Sequence, residues 1–168
     1  PVDYAGHPAD YDDLRTIAHE RGLKIVADQA HSLGAAYRGR PVQQAADLAA
    51  LSFHPVKPIT TAEGGAVVTQ DAALAQRARD FRSHGLVRDR GRLTDDHGPW
   101  YYEIQDQGFN YRLTDLQCAL GVSQLSRLEE FIARRQAIAA RYSEALADLS
   151  ALRLPACVGD VSHGWHLY

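Results

Sequence analysis

Short apolar runs alternate with amphipathic helical segments along this chain, and no other feature of the sequence constrains the fold as strongly. Residues 9–21 carry apolar side chains at helical spacing, with aspartates in the first turn and Gly22 just past the end. Asp71 is placed to cap a second helix that ends near Phe81. Apolar runs of strand length occupy residues 23–27, 48–53 and 66–69. This alternation predicts an α/β fold with a mostly parallel sheet.

The second half of the chain is predicted to contain a long loop and a long helix. Residues 84–109 lack periodicity and are rich in charge, glycine and aromatic side chains, and a long loop inside a domain is more often functional than idle. Thr114 and Gln117 fit a capping box, and the helical pattern behind them continues to about Leu149. Gly121 is the predicted position of a bend in this helix.

Composition argues against several classes of protein. The 168 residues are 45% hydrophobic with a formal net charge of −3, which indicates a globular chain with its own core. No apolar run reaches the ~18 residues of a membrane span, and no cluster of basic residues suggests nucleic-acid binding. Cys118 and Cys157 form no disulfide or zinc pattern, so we expect a cytoplasmic protein. Both ends resemble interrupted strands, so we expect a piece of a longer protein.

Polar side chains with catalytic chemistry lie where two predicted strands end. The first strand is followed by Asp28 and His31, and the second ends at Ser52 and leads to Lys57. Ligands of α/β sheets bind beyond the carboxyl ends of parallel strands. If the two strands are neighbours, these four side chains meet at one edge of the sheet, and the sequence predicts a ligand site there.

Lys57 is one of only two lysines, and it is flanked by apolar side chains and two prolines. Partial burial would favour its neutral amine, which can attack an aldehyde. A surface lysine whose stem covers apolar neighbours is the alternative interpretation.

The neighbouring groups suit the ring of pyridoxal phosphate (PLP). The carboxylate of Asp28 suits a protonated pyridine nitrogen, which makes the PLP ring an electron sink, or else it caps the following turn. His31 could stack on the ring or hydrogen-bond to it, and Ser52 could bind a phosphate oxygen, although either residue can be merely structural.

Three further features carry weaker signals. Gly64-Gly65 has no phosphate-loop spacing around it, so a hairpin turn is favoured. Asn110 and Arg112 precede a capped helix, which suits either an anion site or a simple entry loop. The eight histidines lack metal-ligand spacing, so no metal site is predicted.

Taken in order, these segments resemble the sugar aminotransferases of the DegT/DnrJ/EryC1/StrS family, which are fold type I PLP-dependent enzymes. The resemblance covers nearly the whole chain. It rests on the stretches 25–34, 52–57, 61–65, 108–115 and 166–168. The ordered set is far more specific than any one of these stretches.

The resemblance implies a role for each candidate residue. Lys57 would form the internal aldimine with PLP and move protons between substrate and cofactor carbons. Asp28 would pair with the pyridine nitrogen, His31 would lie near the phenolic oxygen, and Ser52 would bind the phosphate. Asn110 would reach the phosphate of the neighbouring subunit's cofactor, which implies a homodimer with shared active sites.

The resemblance also implies a domain organisation. Residues 1–112 would be the C-terminal part of the PLP-binding large domain of an α/β, fold type I transferase. Residues 113–150 would form a long helix that leads towards the small domain, and residues 151–168 would begin that domain. Two positions depart from the family pattern, since Ala27 replaces an acidic residue of many relatives and Gln29 replaces a small one.

Within the family, the sequence of residues 52–61, 81–85 and 100–103 is most similar to that of the transaminases of pseudaminic-acid biosynthesis. This implies glutamate as the amino donor. It implies a UDP-linked 4-keto-6-deoxy-N-acetylhexosamine, aminated at C4, as the acceptor.

Three alternatives stay open. The relatives' upstream phosphate-binding turn and ring-stacking aromatic residue are absent from this chain, which is compatible with an incomplete scaffold or dimerisation module. A PLP-dependent sugar dehydratase shares the fold but carries histidine in place of the lysine, so Lys57 argues against it. A lysine-dependent aldolase would need no cofactor, and Asp28 would then have no role.

Overall fold

The structure, a computed structural model, describes residues 1–168 and divides into two compact units. The first unit contains Pro1–Gln70 and Asp115–Tyr168, and the second contains Asp71–Thr114. The α/β class predicted from the alternation of strands and helices is confirmed. The assignments of residues 1–112, 113–150 and 151–168 to parts of a large and a small domain remain predictions.

The main sheet of the first unit contains three strands in the order β1 (Val26–Asp28), β4 (Leu48–Ser52) and β5 (Gly65–Val68). β1 and β4 are parallel, and Val2 adds a parallel bridge to Asp28 on the other side of β1. β5 is antiparallel to β4, so the sheet is mostly parallel with one antiparallel edge strand. The reason is that residues 53–64 return as a hairpin connection, whereas a parallel neighbour would need a crossover.

Helix α1 (Tyr11–Arg21) matches the sequence prediction at both ends. The side chain of Asp10 accepts a hydrogen bond from the backbone N–H of Asp13 at its start, and Gly22 ends it in the left-handed conformation with φ 62°. The helix packs on β1 and on the segment that follows it. The buried core there consists of Tyr11, Ala18, Ile25, Ala27, Ala35, Val42 and Ala45.

A second small sheet in this unit joins distant parts of the chain. It contains β2 (Ala36–Tyr37), β3 (Arg40–Pro41) and β8 (Val161–Ser162), all antiparallel, with β2 in the centre. The pairing of β8 with β2 brings the last residues of the chain back to the loop that follows β1.

The predicted long helix is two helices, α3 (Asp115–Leu125) and α4 (Leu128–Leu146). The break lies at Ser126 and Arg127, where the Arg127 N–H bonds to the carbonyl of Gln124, three residues back. The predicted bend at Gly121 is wrong, because Gly121 lies inside α3. A Cβ atom at Gly121 would lie 2.9 Å from Cγ2 of Thr61, so this glycine serves close packing against the loop after β4.

The second unit is built around α2 (Ala72–Arg82), which Asp71 caps as predicted. Residues 84–109, predicted as one irregular loop, contain a hairpin of β6 (Leu86–Val87) and β7 (Glu103–Ile104). The Glu103 carboxylate orders the intervening residues, because it accepts hydrogen bonds from Thr94, Asp95 and Gln105. The Thr94 and Gln105 bonds are the main reasons that the pKa of Glu103 is lowered to about 2.

Neither unit contains a helix long and apolar enough to cross a membrane. Cys118 and Cys157 are both exposed free thiols.

The hairpin between β4 and β5 gives a test of packing. A Cβ atom at Gly65 would lie 2.5 Å from the backbone oxygen of Leu51. We expect Gly65→Ala to lower the free energy of unfolding by about 1–3 kcal/mol, since neither backbone can retreat without breaking the pairing. Chemical denaturation measures this value.

The matched control is Gly91→Ala, where the nearest atom to an added Cβ, an Asp89 carboxylate oxygen, is 3.5 Å away. We expect this control to change stability by no more than about 0.5 kcal/mol. Equal effects of the two substitutions would contradict the close approach of β5 to β4.

Candidate active site

Asp28 is held at the end of β1 by backbone hydrogen bonds on both sides. Its N–H donates to the carbonyl of Pro1 at 2.9 Å, and its carbonyl accepts from the N–H of Asp3 at 3.0 Å. On the other side it pairs with Ala50 of β4. The side chain is exposed. Its Oδ1 accepts from the N–H of Ala30 at 3.1 Å, as a turn cap would, while no donor of this chain reaches Oδ2.

His31 lies half-buried on the same loop, with its ring orientation fixed from two sides. The N–H of Ala5 donates to Nδ1 of His31 at 3.3 Å, so Nδ1 is the acceptor and the proton of the neutral ring lies on Nε2. The ring of His166 packs on it with 4.4 Å between centroids. His31 therefore presents one N–H donor in a defined direction.

Lys57 lies in the loop that follows β4, and backbone hydrogen bonds hold this loop in place. Its N–H donates to the carbonyl of His54, and Thr61 N–H donates to the carbonyl of Phe53, both at 3.0 Å. The residue is half-buried, next to the buried Pro58 and Ile59. The amine itself makes no hydrogen bond or ion pair within the chain, so it is available to a ligand.

Ser52 is the last residue of β4, beside the end of β1. Its Oγ accepts a hydrogen bond from the N–H of His54 at 3.4 Å, and its backbone pairs with Gly65 across the hairpin. The hydroxyl proton remains available to an acceptor such as a phosphate oxygen.

Asp28 and His31 lie where β1 ends, and Lys57 lies in the loop that follows β4, the parallel neighbour of β1. Burial and then the positive charge of Lys57 lower the pKa of His31, whereas the negative charge of Asp28 raises it. Charges act strongly on a titrating group only over about 10 Å or less in salt solution. The structure thus places Asp28, His31 and the loop of Lys57 after the carboxyl ends of two adjacent parallel strands.

Asn110 lies in the second unit, exposed, where its backbone pairs with Ser83 in an antiparallel bridge. Its predicted contact with a neighbouring subunit's cofactor stays a prediction. Gly64 ends the connection of residues 53–64 and Gly65 begins β5, so the two glycines close a long hairpin connection and do not themselves form the predicted turn. No group of three or more histidine, cysteine, aspartate or glutamate side chains is arranged to hold a metal ion.

His166 lies beside His31, and the sequence predicted no role for it. Its ring contacts His31, its N–H donates to the carbonyl of Ala5 at 2.9 Å, and its buried Nδ1 has no partner. Burial, followed by the charges of His31, Lys57 and Arg135, lowers its pKa to about 4. Only the family pattern at 166–168 pointed to this position, because no local periodicity links it to the loop after β1.

Solved structures of aminotransferases share this α/β fold. The solved structure of DesV from S. venezuelae, in complex with a ketimine intermediate, has a TM-score of 0.87 and 39% identity, over 100% of this chain and 42% of that one. PseC of Helicobacter pylori, an aminotransferase of pseudoaminic acid biosynthesis, has a TM-score of 0.84 and 33% identity, over 99% of this chain and 43% of that one.

A putative sugar aminotransferase of Streptococcus pneumoniae in its PLP form has a TM-score of 0.82 and 28% identity, over 100% of this chain and 46% of that one. The chain belongs to the DegT/DnrJ/EryC1/StrS aminotransferase family, which it matches over residues 1–168. The predicted fold and family are thereby confirmed.

Curated relatives agree with this membership. An uncharacterized protein of Methanocaldococcus jannaschii is 40% identical over 168 residues, which are 100% of this chain and 44% of that protein. A UDP-4-amino-4,6-dideoxy-N-acetyl-beta-L-altrosamine transaminase of Campylobacter jejuni is 39% identical over 143 residues, 85% of this chain and 36% of that protein. The chain thus spans less than half the length of these relatives.

The buried imidazoles predict a pH dependence of stability. His166 has a pKa of about 4 in the folded protein against an ordinary value of 6.5, so the unfolded chain binds its proton first as the pH falls. Stability contributed by the neutral ring is therefore complete above pH 6.5 and is lost as the pH falls from 6.5 towards 4. Urea denaturation at pH 7, 6 and 5 measures the slope.

We expect His166→Gln to flatten this slope, and His163→Gln to do the same, since burial and His7 also lower the pKa of His163 to about 4. Retention of the full slope in both variants would show that neither ring is held neutral by the fold.

Proposed function

We propose that this chain carries the PLP site of an enzyme that transfers an amino group from glutamate to a nucleotide-linked keto sugar. The proposal rests on family membership and on one structural observation. β1, which ends at Asp28, is the parallel neighbour of β4, which ends at Ser52 and leads into the loop of Lys57.

The side chains present fit the chemistry of PLP. An aldehyde requires an amine without a competing ion pair, which Lys57 supplies. A protonated pyridine nitrogen requires a carboxylate oxygen such as Oδ2 of Asp28, which accepts no hydrogen bond from the chain. A phenolic oxygen requires a donor such as Nε2 of His31, and a phosphate requires a hydroxyl such as that of Ser52. When bound, PLP supplies an electron sink for negative charge on the substrate carbon.

Each residue would then have one task. Lys57 would hold the cofactor covalently, and its Nζ would carry a proton between two carbon atoms. Asp28 would keep a proton on the pyridine nitrogen, and His31, neutral because of its lowered pKa, would donate through Nε2. Ser52 binds the phosphate. Asn110 would complete the phosphate site of a neighbouring subunit, so we propose a homodimer, working in the cytoplasm.

We further propose that the acceptor is a UDP-linked 4-keto-6-deoxy-N-acetylhexosamine, aminated at C4. Two similarities support this choice. The Campylobacter jejuni relative is a transaminase of a UDP-linked 4-amino-4,6-dideoxy-N-acetyl sugar, and the Helicobacter pylori structure belongs to pseudoaminic acid biosynthesis.

Two lysines in the chain allow a matched test of the cofactor site. We expect Lys57→Ala to abolish the visible absorbance of bound PLP and to lower the rate of amination by at least about 10²-fold, because it removes both the covalent link and the proton carrier. Lys24→Ala is the control. Lys24 forms an exposed ion pair with Asp47, and its loss should leave both readouts unchanged.

Borohydride reduction followed by peptide mass spectrometry identifies the modified lysine and its adduct. A pyridoxyl group on Lys57 is the expected result. A sugar adduct at that position would favour the lysine-dependent aldolase, and a pyridoxyl group on Lys24 would refute the assignment.

The substrate is tested with the whole protein, glutamate and a panel of UDP-linked keto sugars. We expect amination of the 4-keto-6-deoxy-N-acetyl sugar at C4, detected by mass spectrometry and NMR of the product. Amination at C3 alone, or elimination of a hydroxyl without amination, would contradict the proposed acceptor or the proposed reaction, respectively.

A further inference from the structure

A buried carboxylate without a cationic partner lies behind the loop that carries Asp28 and His31. Asp3 is 0% exposed and forms no ion pair. Its Oδ1 accepts from the hydroxyl of Tyr11 at 2.8 Å and the N–H of Ala9 at 2.9 Å, and its Oδ2 accepts from the hydroxyl of Ser32 at 2.8 Å. Burial of a carboxylate is costly unless donors of this kind surround it, so its position is defined by these three bonds.

The hydrogen-bond chain continues through Tyr11 to Gln29. Nε2 of Gln29 donates to the Tyr11 hydroxyl at 2.8 Å and to the carbonyl of Val42 at 3.0 Å. Burial is the main reason that the pKa of Tyr11 is raised, so the phenol remains a donor towards Asp3. Gln29 is one of the two departures from the family pattern, and the network gives this side chain a role.

Asp3 contacts both ends of the site loop, the segment of residues 28–32. At the first end, its backbone N–H donates to the carbonyl of Asp28 at 3.0 Å. At the other end, its side chain binds the hydroxyl of Ser32, the residue directly after His31. The loop between these points is closed by the Ser32 N–H, which donates to the carbonyl of Gln29 at 3.1 Å.

We propose that Asp3 is a positioning residue, which fixes the separation and direction of the Asp28 carboxylate and the His31 imidazole through the loop that joins them. Its effect on the cofactor rests on the proposed function of the site. Its effect on the loop does not. A displacement of about 1 Å in a catalytic group is enough to lower the rate by about 10²-fold. A loop that holds Asp28 and His31 in place therefore preserves the rate.

Two variants test the proposal, and a third is the matched control. Asp3→Ala removes all three side-chain bonds, and Ser32→Ala removes only the bond at the His31 end, so the second variant serves if the first unfolds. Asp47→Ala is the control. The Asp47 carboxylate also accepts from a backbone N–H of the β1 region, that of Ile25 at 2.8 Å, but at the opposite end of the strand.

The first readout is amide hydrogen exchange in the protein without PLP. We expect exchange at Asp28, Gln29 and Ser32 to accelerate by about tenfold or more in Asp3→Ala, and by a smaller factor in Ser32→Ala. Asp47→Ala should accelerate exchange at Ile25 and leave the site loop unchanged. Asp3→Asn should restore most of the protection, because the Ser32 hydroxyl can rotate to accept from the new amide.

The second readout is the dissociation constant of PLP. We expect it to rise about tenfold in Asp3→Ala and to stay within about twofold in Asp47→Ala, even where the two lose similar stability. The positioning role would be overturned if Asp3→Ala and Ser32→Ala changed these two readouts no more than Asp47→Ala does. The two readouts are amide exchange in the site loop and PLP affinity. A parent protein that never binds PLP would overturn the proposed function instead, and the exchange data would still decide the role of Asp3.

Discussion

The hydrogen bonds that hold the backbone of Asp28 between two neighbouring segments are the constraint on which the rest of the site depends. Residues 1–3 bind Asp28 on one side, and β4 binds it and Gln29 on the other. Buried backbone groups must be paired, so this ladder fixes where β1 ends and where its carboxylate emerges. Since β4 is the parallel neighbour, the same ladder also determines that the loop carrying Lys57 begins at the same edge.

Close packing fixes the opposite side of the site. The loop of Lys57 is held by α3, where the absence of a side chain at Gly121 admits the methyl group of Thr61. The side-chain amide of Gln117 donates to the carbonyl of Glu63 at 2.9 Å, which joins the same helix to the end of that loop. A helix far along the chain therefore positions the amine, while the first nine residues position the carboxylate.

Burial also sets the protonation of the site. The rings of His31 and His166 lie 4.4 Å apart at an interplanar angle of 39°, and both have lowered pKa values, chiefly through burial. Neutral imidazoles stabilise this arrangement because two protonated rings at this separation would repel each other and Lys57. The lowered pKa values of the two rings thus favour their neutral forms near neutral pH.

The sequence alone determined the α/β class, the capped helices α1 and α2, the strand ends and the family, because these depend on local periodicity, caps and short ordered motifs. It also indicated Asp28, His31, Ser52 and Lys57 as candidates. Only the tertiary structure decided that β5 is antiparallel, that the long helix breaks at Ser126 and Arg127 rather than Gly121, and that His166 packs on His31. It also revealed the Asp3 network. These features arise from contacts between residues far apart in sequence, which leave no periodic or local signal.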